Sequence, residues 1–311
     1  MRPDSTNEPL GDDEDPRSQA SPQDDSPILD PDDDDDDFDE DDDGGDDEFD
    51  EDELVVEDES RTVLITGAAG NIGRKLRAAW DDEYDLILLD STFDPHDPEV
   101  IQADLSVLDE SWITHFHGVD TVVHLVANSD PAPSFEEMIG PNVDALANVF
   151  NAAALAGVER IVFASSIHVA AGRRDDSPKL ITVDMPPRPS GMYGALKYVG
   201  ERLGRSLAEA FDLTFIALRV GYVQPGANRS ETLVDDWDKK MWLSNGDLVR
   251  LFDAAVEAEI EDRQVLVVHG VSRNQGTPWD LTVAAEILGY LPEDDAFADQ
   301  EDQTEAVDEL A

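Results

Sequence analysis

A doubly wound α/β fold, one parallel sheet with helices on both faces and a small C-terminal cap, follows from three features of the sequence. Thr62-Val63-Leu64-Ile65-Thr66 is a β-prone run that feeds a glycine turn, and an apolar pattern at helical spacing follows through Ile72, Leu76, Ala79 and Trp80. Short apolar runs then alternate with helical periods as far as Leu218. These runs are apolar on both sides, as expected of strands in a parallel sheet covered above and below.

In chain order, strands are predicted at Val63–Thr66, Leu86–Leu89, Val100–Gln102, Thr121–Val126, Arg160–Ala164 and Thr214–Leu218. Helices are predicted near Asn71–Trp80, Val107–His117, Phe135–Ala156 and Gly191–Ala210, with Pro141 starting or kinking the third. Past Leu218 the chain turns irregular through Gly221–Asp236. A helix near Asp247–Ala258, a strand Val265–Val268 and a helix near Trp279–Leu288 follow. That part is too short for a large separate domain and is expected to cap the site.

The formal net charge of the 311 residues is −53, and it is unevenly spread. Residues 1–60 hold 30 acidic side chains and 2 arginines, and Asp32–Asp37 is an unbroken aspartate run. Such a composition cannot bury enough apolar surface to offset chain entropy, so residues 1–59 are predicted to be a disordered acidic tail. Residues 60–292 are predicted to be the folded body and 293–311 a second acidic tail. The body is acidic too, with 5 lysines against 16 arginines in the whole chain, a surface suited to a salt-rich cytoplasm. The charge argues against nucleic acid and anionic lipid as partners. There is no cysteine, which excludes disulfides, thiolate zinc sites and a thiol nucleophile. His115 and His117, two apart, diverge on a helix, and no metal site is expected. Without a basic-then-apolar leader or a membrane-length apolar run, the protein is expected to be soluble and cytoplasmic.

The glycine turn reads G-x-x-G-x-x-G, at Gly67, Gly70 and Gly73. The first glycine permits the turn, the second lets backbone approach a pyrophosphate, and the third lets the helix pack close on the strand. Free N–H groups at the helix start, with the helix dipole behind them, favour phosphate. Asp90 ends the next strand 23 positions after Gly67, near the spacing at which a carboxylate meets the adenine ribose. The cofactor is therefore expected to be NAD. A second constellation is Ser165-Ser166 at a strand end, followed by Tyr193 and Lys197. The latter pair are four apart on a predicted helix and so share a face. An ammonium beside a phenol favours phenolate, and a serine hydroxyl can hold the substrate oxygen beside it.

These residues, with Asp104-Leu105, His124-Leu125-Val126-Ala127 and Asn142, resemble the signature of the extended short-chain dehydrogenase/reductases, the NAD-dependent epimerase/dehydratase group, over Arg61 to about Pro292. The resemblance implies a Rossmann-type sheet. It places Gly67, Gly70, Asn71, Ile72 and Gly73 at the dinucleotide, with Asp90 on the ribose. Asp104 and Leu105 would lie near the adenine, and Leu125 and Ala127 beside the cofactor. Asn142 would support a proton relay, Tyr193 would be the general acid/base, and Lys197 would bind the nicotinamide ribose. Val162–His168, Pro187–Gly194, Leu218–Gly221 and Met241–Ser244 look most like uronate dehydrogenases and related sugar dehydrogenases of salt-loving archaea. By that likeness Ser129, Ser166, His168 and Arg219 would contact a sugar or sugar acid. Those relatives usually carry Asn after the serine pair, where this chain has Ile167, a side chain unable to hydrogen-bond a sugar hydroxyl. The reading is an NAD-dependent dehydrogenase of a sugar hydroxyl, with a homo-oligomer compatible with it. Its rivals are a nucleotide-sugar epimerase or dehydratase and a non-catalytic NAD sensor.

Overall fold

The computed structural model describes residues 60–298, except 131, 175–179 and 261–264. The expectation for residues 1–59 lies outside the described residues, as does that for 299–311. Among the described residues, seven strands form one sheet: β1 (Thr62–Thr66), β2 (Asp85–Asp90), β3 (Val100–Gln102), β4 (Thr121–His124), β5 (Arg160–Ser166), β6 (Thr214–Val220) and β7 (Val265–Gly270). Their order is β3-β2-β1-β4-β5-β6-β7, and every pair is parallel. The order reverses between β1 and β4, so the C-terminal ends of these two strands open the crevice in which sheets of this kind bind ligands.

Among the described residues, eight α-helices flank the sheet or follow it: α1 (Asn71–Ala79), α2 (Glu110–Ile113), α3 (Phe135–Ile139), α4 (Ala145–Ala156), α5 (Gly191–Phe211), α6 (Asp236–Met241), α7 (Asn245–Glu257) and α8 (Thr282–Leu288). Alternation along the strands fills two core layers. Val63 and Ile65 of β1 pack with Leu76 of α1, Phe252 of α7 and Leu288 of α8. Leu64, between them, belongs to the other layer with Trp112, Phe150 of α4 and Leu207 of α5. The helix α5 lies unusually close to the sheet. A Cβ at Gly204 would run into the ring of Phe215, and one at Gly200 would stand 2.5 Å from Phe163 Cζ.

Three differences from the sequence reading have physical causes. The long helix expected over Phe135–Ala156 is broken by a π turn at Gly140–Asp144, where Pro141 offers no N–H to the ladder. The helix expected over Val107–His117 shortens to α2 plus a 3₁₀ turn at Thr114–Phe116. Pro292 does not end the ordered chain. The buried Asp247 carboxylate accepts from the backbone N–H of Glu293 (2.8 Å) and of Asp294 (3.1 Å). Ala296 is buried, and its N–H donates to Asn274 Oδ1 at 2.9 Å. The acidic composition of this segment masked its function as a strap. Among the described residues, no helix is long and apolar enough to cross a membrane.

Candidate active site

Above the switch point lies a cleft of about 940 Å³, walled by the ends of β1, β4, β5 and β6 and by the start of α5. At one end, Gly67 turns the chain with φ at +76°, a left-handed value that suits glycine. A Cβ at Gly73 would collide with Gly67 O and stand 2.7 Å from Ala68 Cα, so this position tolerates no side chain. The N-cap of α1 is Gly70, and no side chain caps the helix. The leading N–H groups are thus left for a ligand, a cradle for the anionic bridge of a dinucleotide.

Gly67, Gly70, Asn71, Ile72 and Gly73 line the cleft, and Leu125 and Ala127 line it from the end of β4. Asp90 stands just behind. Its two oxygens accept from Ala69 N (3.0 Å) and Thr92 N (2.8 Å), tying the glycine loop to the end of β2. Asp104 and Leu105 are not among the lining residues. Asp104 Oδ1 closes a local turn on Ser106 N at 3.0 Å, and Leu105 is 3% exposed in the core.

Ser166, His168, Tyr193 and Lys197 meet at the other end with Ser129. Ser166 ends β5, and its Oγ accepts from His168 N at 3.2 Å. Lys197 Nζ donates to Ala164 O at 2.7 Å and lies 5.7 Å from the centre of the Tyr193 ring. Burial pushes the Tyr193 phenol up to about 12 and the Lys197 ammonium down to about 7. The lowered tyrosine expected from its neighbour's charge is thus outweighed by burial of both groups. Asn142, buried in the π turn, accepts from Asn128 N at 2.8 Å and donates to Asn128 O at 3.2 Å. It acts on the loop after β4 rather than on the cleft directly.

Two expectations at the substrate end are corrected. Arg219 does not line the cleft. It is 2% exposed and forms a bidentate pair with Glu201, Nε to Oε1 at 2.8 Å and Nη2 to Oε2 at 2.9 Å. Ser165 Oγ donates to the same Glu201 at 2.6 Å. Ile167 faces the core with Met241, Val271 and Trp279, so its lack of a hydrogen-bonding group does not touch a sugar. Sequence reading missed Ser190, Met192, Asp130 and Tyr222, which also line the cleft. Ser190 and Met192 were within reach, being neighbours of Tyr193. Tyr222 sits in an irregular stretch with no periodic signal.

A glycine-cradled helix start at the switch point of a parallel sheet defines a dinucleotide-binding α/β protein. The chain belongs to the NAD dependent epimerase/dehydratase family, whose model matches residues 63–234. Among its relatives, L-arabinose 1-dehydrogenase (NAD(P)(+)) of Haloferax volcanii is 32% identical over 250 residues, covering 75% of this chain and 97% of that protein. Uronate dehydrogenase of Pseudomonas putida is 32% identical over 239 residues, covering 75% of this chain and 84% of that one. Among solved structures, uronate dehydrogenase from Agrobacterium tumefaciens superposes with a TM-score of 0.64 at 32% identity, over 81% of this chain and 90% of that one. A mutant of that enzyme complexed with NAD gives the same TM-score of 0.64.

Proposed function

We propose that this protein is an NAD-dependent dehydrogenase that oxidises one hydroxyl of a sugar. The observation that carries the reading is the convergence of Ser166, Tyr193 and Lys197 in the same cleft as the glycine loop. Relatives that act on L-arabinose and on uronates support the substrate class. NAD, when bound, supplies the hydride acceptor. Gly67, Gly70, Asn71, Ile72 and Gly73 would hold its phosphates, and Asp90 would accept from its adenine ribose.

The protein's part is positioning and proton handling. Ser166 Oγ and the Tyr193 hydroxyl would grip the reacting oxygen, and Tyr193 as phenolate would take its proton. Protonated Lys197 would favour that phenolate, which burial alone resists. Asn142 would keep the Asn128 backbone, and with it the loop after β4, in place. The acidic body makes nucleic acid an unsuitable partner. A cytoplasmic location, where NAD is plentiful, suits the reading, and self-association is compatible with it.

The test pairs NAD titration with initial rates on pentoses, hexoses, uronates and sugar phosphates, for the native chain and Tyr193→Phe. Net NADH formation that Tyr193→Phe abolishes, with NAD affinity kept, is the expected result. Isomerised sugar without net NADH would replace the dehydrogenase reading with an epimerase.

A further inference from the structure

We propose that Asn71 and Lys75 latch the loop after β6 onto the helix that receives the dinucleotide, so that a bound dinucleotide fixes the substrate-end wall this loop forms; the proposal rests on the NAD-dependent reading above. The loop, residues 221–233, places Tyr222, Val223 and Pro225 on the cleft. Tyr222 is 43% exposed there, and Arg229, farther along the same loop, is exposed as well. An aromatic ring and a guanidinium are thus only as well placed as this loop.

On one side the loop is rooted. Asn228 has a left-handed φ of +51° and is 4% exposed. Its Oδ1 accepts from Gln224 N at 2.8 Å and from Trp242 Nε1 at 2.9 Å, and its Nδ2 donates to Leu243 O at 2.7 Å. The backbone joins the same segment through Tyr222 N to Met241 O at 2.7 Å and Leu243 N to Tyr222 O at 3.0 Å. Gln224 ties the interior together: its Nε2 donates to Arg229 O at 2.9 Å, and its Oε1 accepts from Thr232 Oγ1 at 2.8 Å. The loop is a preformed unit that can dock as a whole.

On the other side it meets α1 at two side chains near the surface. Asn71, exposed at the first position of the helix, donates from Nδ2 to Val223 O at 3.1 Å. Lys75, one turn on, donates from Nζ to Gln224 O at 3.4 Å and to Asn71 Oδ1. Bonds within reach of water open more easily than the buried bonds of Asn228, so the α1 contact is the one a ligand can bias. Lys75 supplies the bias. Its bond to Asn71 brings an ammonium to the positive end of the α1 dipole, and partial burial already weakens its hold on the proton. The anionic bridge of a dinucleotide at the same helix start offsets both penalties. Latched and released are then two states with different affinity for the dinucleotide, and the loop completes the substrate-end wall in the latched one.

The experiment follows hydrogen exchange of the full chain without NAD and with saturating NAD, resolved to residues 70–76 and 222–233, in the native protein, Lys75→Met and Lys75→Arg. NAD should slow exchange at least about fivefold in both segments of the native chain. Lys75→Met should keep the protection of 70–76 and lose most of that in 222–233, and Lys75→Arg, with a cation of similar reach, should restore it. Undiminished protection of 222–233 in Lys75→Met overturns the latch, as does protection confined to 70–76 in the native chain; both leave the dinucleotide reading standing. Loss of protection in both segments of Lys75→Met makes Lys75 a cofactor ligand and overturns the latch too. NAD that slows neither segment of the native chain defeats both readings. The kinetic arm uses the sugar turned over in the assay above, at saturating NAD. Lys75→Met should raise its KM about three- to tenfold, the effect of losing one or two exposed hydrogen bonds, with kcat within about twofold of native. An unmoved KM removes the substrate side of the proposal.

Discussion

Burial moves Tyr193 and Lys197 in opposite directions, and both consequences are measurable. With the phenol held to about 12 and Lys197 at about 7, the form that pairs phenolate with ammonium grows as pH rises toward about 7 and then levels off, so oxidation should quicken up to about pH 7 and flatten above it, read from initial rates against pH. Tyr193→Phe keeps the ring and deletes the base, so kcat should fall by about 10²–10⁴-fold while NAD binding survives. Lys197 falls from its ordinary 10.5 to about 7 in the folded protein. Between those values the unfolded chain binds more protons, so this residue makes stability rise with pH there, and its full penalty applies below about pH 7. Lys197→Met should therefore raise the Tm at pH 6 by more than at pH 10, in thermal melts of the free protein. The tyrosine and lysine were legible in the sequence because helical spacing alone puts them on one face. The outcome of their shared burial was not, since it depends on how closely α5 docks.

The helix α5 carries the candidate acid/base and is fixed to the sheet by two devices. One is steric: Gly200 and Gly204 let the helix rest on Phe163 and Phe215. Gly204→Ala should cost about 1–3 kcal/mol, read by denaturant unfolding, and should lower kcat as Tyr193 shifts with its helix. The other is the Glu201–Arg219 pair with Ser165. Arg219→Met alone strands a buried carboxylate and should cost about 3–5 kcal/mol. The double change Glu201→Leu with Arg219→Met should recover most of that loss. If the double variant is no more stable than the single, the pair is not the anchor. The strands and the glycine loop were readable because their signals are local. The ion pair was not, because it joins a helix to a strand 18 positions away and forms through the register of β5 on β6.

For the whole molecule, charge and chain ends dominate. Removing residues 1–59 takes away much of the excess negative charge, and NAD binding and melting of a chain starting at Ser60 should match the full protein. A loss of either would make that segment structural. At the other end the body reaches at least Ala298. There the sequence reading stopped too early, because acidic composition suggested solvent while Asp247 was already engaged with the backbone of Glu293 and Asp294. Asp247→Ala should release the strap and lower the Tm by several degrees, since it leaves the N–H groups of Glu293 and Asp294 without their acceptor and reduces Arg250 to its bond with Glu293.

The central position of β1 has a kinetic consequence. It is the earliest of the seven strands in the chain, yet it needs partners from both sides. Its pairing with β4 joins residues 58 apart, as in the buried contact of Thr66 Oγ1 with His124 Nδ1 at 2.8 Å. A loop that long must close before any contact rewards it, so refolding should proceed in milliseconds to seconds rather than microseconds. The glycine turn is held by Gly67 N on Leu89 O at 2.8 Å and by Leu125 N on Thr66 O at 3.1 Å, one bond toward each neighbouring strand. The dinucleotide cradle therefore matures with the middle of the sheet, and in stopped-flow refolding the capacity to bind NAD should return with the slow phase.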